Sequence, residues 1–162
     1  APRLPAEAAL ARLRLYELND LWAEYDGADQ ASFSRSYSFS AAHRLHAATL
    51  SDEQNRAIYG KCNNPNGHGH NYTLEVTVGG AIDGQTGMVI DLVELDRTVR
   101  GVLDGLDHRH LDREIAGFAD QTSTAENIVV YLWGELAPPL EGKLQYLKLW
   151  ETKNNVFEYS GK

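Results

Sequence analysis

The stretch KCNNPNGHGHNYTLEV, which runs from Lys61 to Val76, concentrates side chains that can bind a metal or move a proton. It contains the only cysteine of the chain, Cys62, and two histidines, His68 and His70, that are two positions apart. Side chains two apart on a strand point to the same face, so a strand that already begins here presents two imidazoles together. Two imidazoles are half of a tetrahedral metal site, and one more histidine would leave one position open, as in catalytic zinc sites.

His43 is the candidate for the third ligand because it ends the preceding predicted strand. If the strand over residues 33–43 pairs as a hairpin with the strand over 71–79, His43 meets the His-Gly-His triplet at one end of the sheet. A His-x-His pair by itself is common, and the hairpin geometry is what favours the metal site. Three other histidines are possible ligands: His46, His108 and His110.

Cys62 lies among polar residues, which favours a loop over a buried position. The neighbouring Lys61 is a cation, and a cation favours the thiolate form. The spacing of six residues to His68 fits no usual zinc-finger pattern, although a Cys-His-His ligand set stays the alternative. A thiolate near a Lewis-acidic metal indicates abstraction of a proton from a carbon next to a metal-bound oxygen.

The first 30 residues are predicted to form a helical extension. Helix formers dominate this part of the chain, and apolar residues recur at three- and four-residue spacing. These residues are Ala11, Leu15, Leu18, Trp22 and Tyr25. We expect this helix to pack on its own domain or on a partner subunit, with no chemistry of its own.

Residues 31–162 are predicted to form one α+β domain around an antiparallel sheet. Alternating apolar residues predict strands over 33–43 and 71–79, a short strand begins at Met88, and the segments LQYLKLWET and NVFEYS close the sheet. One helix, capped by Asp91, follows the Met88 strand, and a second is expected to open with a capping box at Ser123 and Glu126.

The composition excludes several classes of protein. The chain has 162 residues, of which 43% are hydrophobic and 23% are charged, so it is an ordinary globular sequence. Its net charge of −8 argues against general binding to nucleic acid or to an anionic membrane. No apolar run has the length of a membrane span, and no signal-peptide pattern opens the chain. A single cysteine cannot form an internal disulfide, so we expect a cytoplasmic protein.

Several motifs together resemble those of the 6-pyruvoyl-tetrahydropterin synthase family. They are SFSAAHRL, GKCNNPNGHGHNY, GMVIDLVEL, LDHRHLD, STAEN and WETKNN, in this order. The resemblance covers residues 33–162. It implies the tunnelling (T-) fold, a four-stranded antiparallel sheet with two helices on one face, in a homohexamer built from two trimers. The implied reaction converts 7,8-dihydroneopterin triphosphate to 6-pyruvoyl-tetrahydropterin, with loss of triphosphate, in tetrahydrobiopterin biosynthesis.

The resemblance also implies roles for individual residues. His43, His68 and His70 would hold one Zn²⁺ per subunit, and Cys62 would be the general base. Asp107 and His108 would form a second proton-transfer pair that reaches the site of a neighbouring subunit. Glu151 would bind the N–H edge of the pterin, because two carboxylate oxygens match two parallel donors.

The remaining implied contacts concern the rest of the substrate. Thr124 and Glu126 match residues near the pterin, and Glu126 is equally explained as a helix cap. The triphosphate needs cations, possible Mg²⁺ among them. The nearest basic residues are Arg35, Arg44 and Lys61. Ser36 stands where many relatives carry a second arginine, which weakens this set of phosphate contacts.

Three alternatives stay open at the level of the sequence. The first is 6-carboxy-tetrahydropterin synthase of queuosine biosynthesis, whose branch resembles a shorter spacing between the cysteine and the His-Gly-His triplet. The second is an enzyme that acts on dihydroneopterin with a glutamate in place of the thiol, and Cys62 argues against it. The third is a non-catalytic, zinc-stabilised binding protein, in which Cys62 would be a fourth ligand of a closed site.

Overall fold

The computed structural model describes residues 11–25 and 30–162. Its regular elements follow in this order: β1 Leu13–Leu18, β2 Leu21–Tyr25, β3 Gln30–His43, α1 Asp52–Tyr59, β4 His68–Ala81, α2 Leu92–Asp104, β5 Arg109–His110, α3 Leu111–Glu114, α4 Ala125–Leu136, β6 Leu144–Thr152 and β7 Asn155–Tyr159. Two 3₁₀ turns complete the list, Gly60–Asn63 and Ala116–Phe118.

The strands form a single sheet in the order β1-β2-β3-β4-β6-β7, with antiparallel neighbours throughout. The short β5 pairs in parallel with the end of β3. This arrangement confirms the α+β class and the antiparallel sheet. The four expected strands β3, β4, β6 and β7 are present, and the described residues add β1, β2 and β5 to them.

The core lies between one face of the sheet and the helices α2 and α4. The alternating residues of β4 on this face are fully buried: Tyr72, Leu74, Val76 and Val78. Both helices contribute apolar residues at four-residue spacing, as expected for a face that packs on a sheet. These residues are Leu95, Val99, Leu103, Ile128, Leu132 and Leu136. The C-terminal end of β3 and the N-terminal end of β4 lie side by side at one end of the sheet. These two ends carry the histidines.

The predicted helix near the N-terminus is wrong over residues 13–25, which form the hairpin of β1 and β2. Asn19 and Asp20 make a two-residue turn, and such polar pairs favour tight hairpins. Leu21 and Trp22 are buried, while Leu15 of the supposed helical stripe is 67% exposed. Hydrogen bonding of β2 to the edge of β3 therefore outweighs helix propensity. The part of this prediction over residues 1–10 lies outside the described residues, and the division of the chain at residue 30 stays a prediction.

The helices α2 and α4 each begin directly after a capping residue. Residues 88–91 form no strand, and Asp91 caps α2 by accepting a hydrogen bond from the backbone N–H of Val93. In α4 the cap is Thr124, one residue later than the predicted Ser123. No helix among residues 11–25 and 30–162 has the length and apolar character that a bilayer span requires.

Candidate metal centre and active site

Three imidazoles converge where β3 ends and β4 begins. The predicted hairpin is confirmed, with His43 directly opposite His68 and Ala41 opposite His70. Because His68 and His70 are two apart on β4, both rings point to the same face as the ring of His43. One ligand nitrogen from each of the three lies within 4.8 Å of the other two. The Nε2 atoms of His43 and His68 are 3.1 Å apart.

The orientation of the His43 ring is fixed by a hydrogen bond. Its Nδ1 donates to the backbone carbonyl oxygen of Ser123 at 2.7 Å, since a carbonyl can only accept. The proton on Nδ1 leaves the lone pair of Nε2 facing the other two histidines. A metal-binding histidine is commonly held in this way by its second nitrogen.

The protonation states of His43 and His70 suit a bound cation. Burial lowers the pKa of His43 and of His70 below the ordinary histidine value. The neutral imidazole is the form that binds a metal. Nε2 of His70 is buried and has no hydrogen-bond partner among residues 11–25 and 30–162, which is costly for a polar atom. A bound divalent ion would satisfy it, so the residues present fit a metal centre with three nitrogen ligands. Three imidazoles suit zinc and also accept copper, iron or nickel.

Glu151, near the end of β6, borders this cluster. Its Oε1 lies 3.7 Å from Nε2 of His43 and 3.8 Å from Nε2 of His70. Its Oε2 accepts a hydrogen bond from the side chain of Asn155 at 3.2 Å. The carboxylate is mostly shielded from solvent, with 14% of the side chain exposed. The structure thus places a negative charge beside the histidines, where the sequence alone shows only a strand end.

Cys62 lies in the 3₁₀ turn Gly60–Asn63 and is partly buried. Its carbonyl oxygen accepts a hydrogen bond from the backbone N–H of Leu45 at 2.9 Å, which ties this turn to the chain just after His43. Among the described residues, the group of mutually close ligand atoms holds the three histidines and not the sulfur of Cys62. The closed four-ligand site of the binding-protein alternative therefore lacks its thiolate here.

Asp107 and His108 form a bonded pair on the surface. Nδ1 of His108 lies 2.7 Å from Oδ2 of Asp107, and the backbone N–H of Ser40 donates to Oδ1 of Asp107 at 2.7 Å. The hydrogen bond from Ser40 and that from His108 lower the pKa of Asp107. His108 has a φ of +58° and a side chain that is 81% exposed. The pair is therefore tied to the backbone of Ser40 while the imidazole of His108 faces outward.

The cations predicted for the triphosphate lie in two places. Arg35 forms an ion pair with Asp96 at 3.1 Å and lies eight residues along β3 from His43. At about 3.3 Å per residue this separation is about 26 Å, beyond the reach of an arginine side chain within one chain. Arg44 and Lys61 instead line one cavity of about 590 Å³ beside the Cys62 turn. Arg56 of α1 lines the same cavity and was missed at the level of the sequence.

The other candidate residues serve local roles. Thr124 caps α4, where its hydroxyl accepts from the backbone N–H of Asn127, and Glu126 is exposed in the first turn. Nδ1 of His46 accepts a hydrogen bond from the side-chain amide of Asn63. His110 is mostly buried and stands 3.6 Å from the carboxylate of Asp112. Neither His46 nor His110 belongs to the three-histidine group.

Comparison with known proteins agrees with this geometry. The sequence profile described as 6-pyruvoyl tetrahydropterin synthase matches residues 32–162. The chain is 50% identical to the human 6-pyruvoyl tetrahydrobiopterin synthase over 134 residues, which cover 82% of this chain and 92% of that protein. The Drosophila melanogaster protein of the same name is 45% identical over 134 residues, or 81% of this chain and 80% of its own length.

A solved structure shows the same architecture. The 6-pyruvoyl tetrahydropterin synthase of Caenorhabditis elegans superposes with a TM-score of 0.80 at 42% identity, over 82% of this chain and 96% of that one. Sequence identity, coverage and fold therefore agree with each other. The chain belongs to the 6-pyruvoyl tetrahydropterin synthase family, and it is an enzyme of the lyase type that this family represents.

Proposed function

We propose that the chain is a zinc-dependent 6-pyruvoyl-tetrahydropterin synthase, which converts 7,8-dihydroneopterin triphosphate to 6-pyruvoyl-tetrahydropterin and triphosphate. The observation that carries this proposal is the convergence of His43, His68 and His70, with a buried Nε2 on His70 that has no hydrogen-bond partner in the described part of the chain. Glu151 beside these rings supplies the carboxylate that a pterin requires. The names of the relatives support the choice of product.

The atoms balance without an external oxidant. The two hydroxyl-bearing carbons of the substrate side chain lose four hydrogens as they become carbonyl carbons. Two of these hydrogens are taken up by the ring C=N bond. One goes to the terminal carbon, which becomes a methyl group as its C–O bond to the triphosphate breaks, and one leaves with the triphosphate. His43, His68 and His70 would hold the zinc, which as a Lewis acid would make a C–H bond beside a hydroxyl of the substrate more acidic.

The residues of this chain would then bind the substrate and move its protons. Cys62, as a thiolate, accepts the proton from the activated side-chain carbon. The exposed imidazole of His108, held by Asp107, carries protons at the second transfer position of a neighbouring subunit. Glu151 accepts two N–H bonds from the pterin edge, and Thr124 and Glu126 lie near the ring in this proposal. Arg44 and Lys61 face the triphosphate, with Arg56 as an added cation.

The proposal extends to the assembly and its surroundings. The trimer-based homohexamer would supply the Asp107–His108 pair across subunits, and its support is the exposure of His108. Magnesium would accompany the triphosphate. A cytoplasmic location accords with the single cysteine in a chain that offers no internal disulfide.

Product analysis tests the proposal directly. The protein is incubated with dihydroneopterin triphosphate and Zn²⁺, without a redox cofactor, and the pterin product is identified by mass. We expect a three-carbon dicarbonyl side chain and one triphosphate per turnover. A carboxyl group at the same position would assign the chain to the queuosine branch instead. Absence of any product would favour the non-catalytic zinc protein.

Glu151→Gln is expected to weaken pterin binding and to leave metal binding intact. Glutamine presents an amide N–H₂ to one of the two pterin donors, so one charge-assisted bond is lost and the other weakens. Such a loss costs about 1.5–3 kcal/mol, or roughly 10- to 100-fold in affinity. Titration with a non-reactive pterin, followed by fluorescence quenching, measures this change.

Glu158→Gln is the matched control, because Glu158 on β7 is exposed and pairs with Lys148 at the surface. We expect this variant to bind the pterin like the unchanged protein. Equal pterin affinity in Glu151→Gln would remove Glu151 from the binding site, and loss of zinc in that variant would make it a metal ligand.

A further inference from the structure

One carboxylate outside the three-histidine cluster holds two separate parts of the chain. Oδ2 of Asp112 accepts a hydrogen bond from the backbone N–H of Arg44 at 2.6 Å. Its Oδ1 accepts a hydrogen bond from the hydroxyl of Ser123 at 2.5 Å. Ser123 is completely buried, and the side chain of Asp112 is 22% exposed. Both bonds are charge-assisted and short, which is typical of strong contacts.

Each of these bonds leads to the ligand His43. The N–H of Arg44 belongs to the peptide unit that follows His43, so its bond fixes the backbone at that point. Ser123 supplies the carbonyl oxygen to which Nδ1 of His43 donates. Asp112 therefore determines both where the His43 backbone lies and where the acceptor of its ring lies.

Two neighbouring residues, Thr124 and Gly67, further restrict the bond between Ser123 and Asp112 and the backbone of His43. Thr124 caps α4, which leaves the hydroxyl of Ser123 to Asp112. On the other side of His43, Gly67 packs so closely that a Cβ there would stand 2.8 Å from the carbonyl oxygen of His43. Gly67 also has a φ of +73°, which favours glycine. The backbone of His43 is thus bounded by Gly67 and tied by Asp112.

We propose that Asp112, acting through Ser123, is a positioning residue that holds His43 in its metal-binding orientation. The inference rests on the metal centre of the proposed function and deepens it. Partners that orient a metal-binding histidine typically contribute ten- to hundredfold to metal affinity. Asp112 lies on the short helix α3. It does not belong to the group of mutually close ligand atoms, which holds the three histidines.

Asp112→Asn tests the inference, because asparagine keeps the shape of the side chain but has only one oxygen acceptor. If its amide N–H₂ faces the N–H of Arg44, that hydrogen bond is lost, and if it faces Ser123, the hydroxyl must accept instead of donate and the charge-assisted bond is lost. We expect the affinity for Zn²⁺, measured by competition with a chromophoric chelator and without substrate, to fall ten- to hundredfold. The absorption spectrum of the Co²⁺-loaded variant should also change. Equal affinity and an unchanged Co²⁺ spectrum would overturn the inference.

Two further variants separate positioning from general stability. Asp104→Asn removes the same charge from an exposed position at the end of α2 and is expected to leave the Zn²⁺ affinity unchanged. Ser123→Ala removes only the hydroxyl and keeps the backbone carbonyl. It is the alternative test of the inference if Asp112→Asn does not fold. We expect Ser123→Ala to weaken Zn²⁺ binding, and the double variant to lose no more than the worse single variant. An unchanged affinity in Ser123→Ala would contradict the role of Asp112.

A measurement on the metal-free protein separates this inference from the proposed function. Two-dimensional ¹H–¹⁵N spectra of the imidazoles report which nitrogen of His43 carries the proton. We expect Nδ1–H in the unchanged protein and a mixture of both forms in Asp112→Asn. If the unchanged protein binds no metal, the proposed metal centre fails, and this spectrum still decides the positioning role. The same single form in both proteins would overturn it.

Discussion

Replacing His70 by alanine is expected to abolish turnover and to remove the metal. Its buried Nε2 has no hydrogen-bond partner within the residues that the structure describes, and one of its ring nitrogens belongs to the three-histidine group. If a zinc-binding free energy of about 10–16 kcal/mol divides evenly among the ligands, one ligand contributes about 3 kcal/mol or more, which is at least about two orders of magnitude in affinity. Zinc content after gel filtration and product formation from dihydroneopterin triphosphate measure both effects.

His70 suits this test better than His43 because its side chain is 19% exposed, whereas that of His43 is 1% exposed. Truncation at His70 therefore leaves a smaller internal cavity, and the variant should fold. His46→Ala is the matched control, since His46 bonds to Asn63 and lies outside the ligand group. It should retain zinc. Full zinc content in His70→Ala, or its loss in His46→Ala, would contradict the assignment of ligands.

The part of the site that could be predicted from the sequence is the part that depends on strand periodicity. Both β3 and β4 alternate over many residues, and a single antiparallel register then brings the end of one to the start of the other. His43 consequently meets His68, and the two-residue spacing turns His70 to the same face. No knowledge of loops is needed for this step, which is why the hairpin was predictable.

The N-terminal hairpin shows where periodicity is ambiguous. The segment over residues 13–25 fits a helical stripe, and it also fits two short strands around Asn19-Asp20. Local propensity favours the helix, but the exposed backbone edge of β3 offers hydrogen bonds that only a strand can use. The outcome depends on a partner that lies later in the chain, so the local pattern could not decide it.

The proposed positioning residues were not predictable for a similar reason. Asp112 bonds to the backbone of Arg44, which is 68 positions away, and to Ser123, which is 11 positions away. No spacing rule links these positions. The capping signature at Ser123 was also misleading, since Thr124 makes the cap and leaves Ser123 for the carboxylate. Asp112 lies two positions after His110 and is a weak hint of a polar site there. Its position in the sequence gives no indication of a contact near His43.

Two side chains, one beside the histidines and one in the cavity of Arg44 and Lys61, have no role that the sequence indicates. The ring of Tyr72 packs beside those of His43 and His70, with centroids 6.4 Å and 5.6 Å away. Burial raises the pKa of Tyr72, and its hydroxyl has no partner among the described residues. The alternating pattern of β4 places Tyr72 among the apolar residues, so the sequence indicates only a core residue. Arg56 was likewise overlooked, although it lies only 12 positions before His68, because only the fold brings its position on α1 to the cavity that Arg44 and Lys61 line.

Replacing Cys62 by alanine is expected to reduce turnover by about 10²- to 10⁴-fold, the usual contribution of a general base. Zinc content and the folded structure should be retained, because the sulfur does not belong to the ligand group and the residue is only partly buried. The measurements are single-turnover rates at saturating substrate and metal content per subunit. Retention of metal alongside loss of rate is the combination that identifies a base rather than a ligand.

Cys62→Ser separates the chemical role of the sulfur from its packing. Serine nearly preserves the volume of the side chain, but its hydroxyl is far less acidic than a thiol and cannot serve as a base of the same strength at neutral pH. We therefore expect Cys62→Ser to be as slow as Cys62→Ala. Recovery of the rate in the serine variant would show that Cys62 acts through packing of the Gly60–Asn63 turn.

Chemical modification provides an independent readout, because Cys62 is the only cysteine in the chain. Alkylation with iodoacetamide should inactivate the unchanged protein with one adduct per subunit, and a bound pterin should slow the reaction if the thiol faces the substrate. Wild-type activity in Cys62→Ala would show that another group takes the proton. Loss of zinc from that variant would instead make the sulfur a fourth ligand, as the non-catalytic alternative requires.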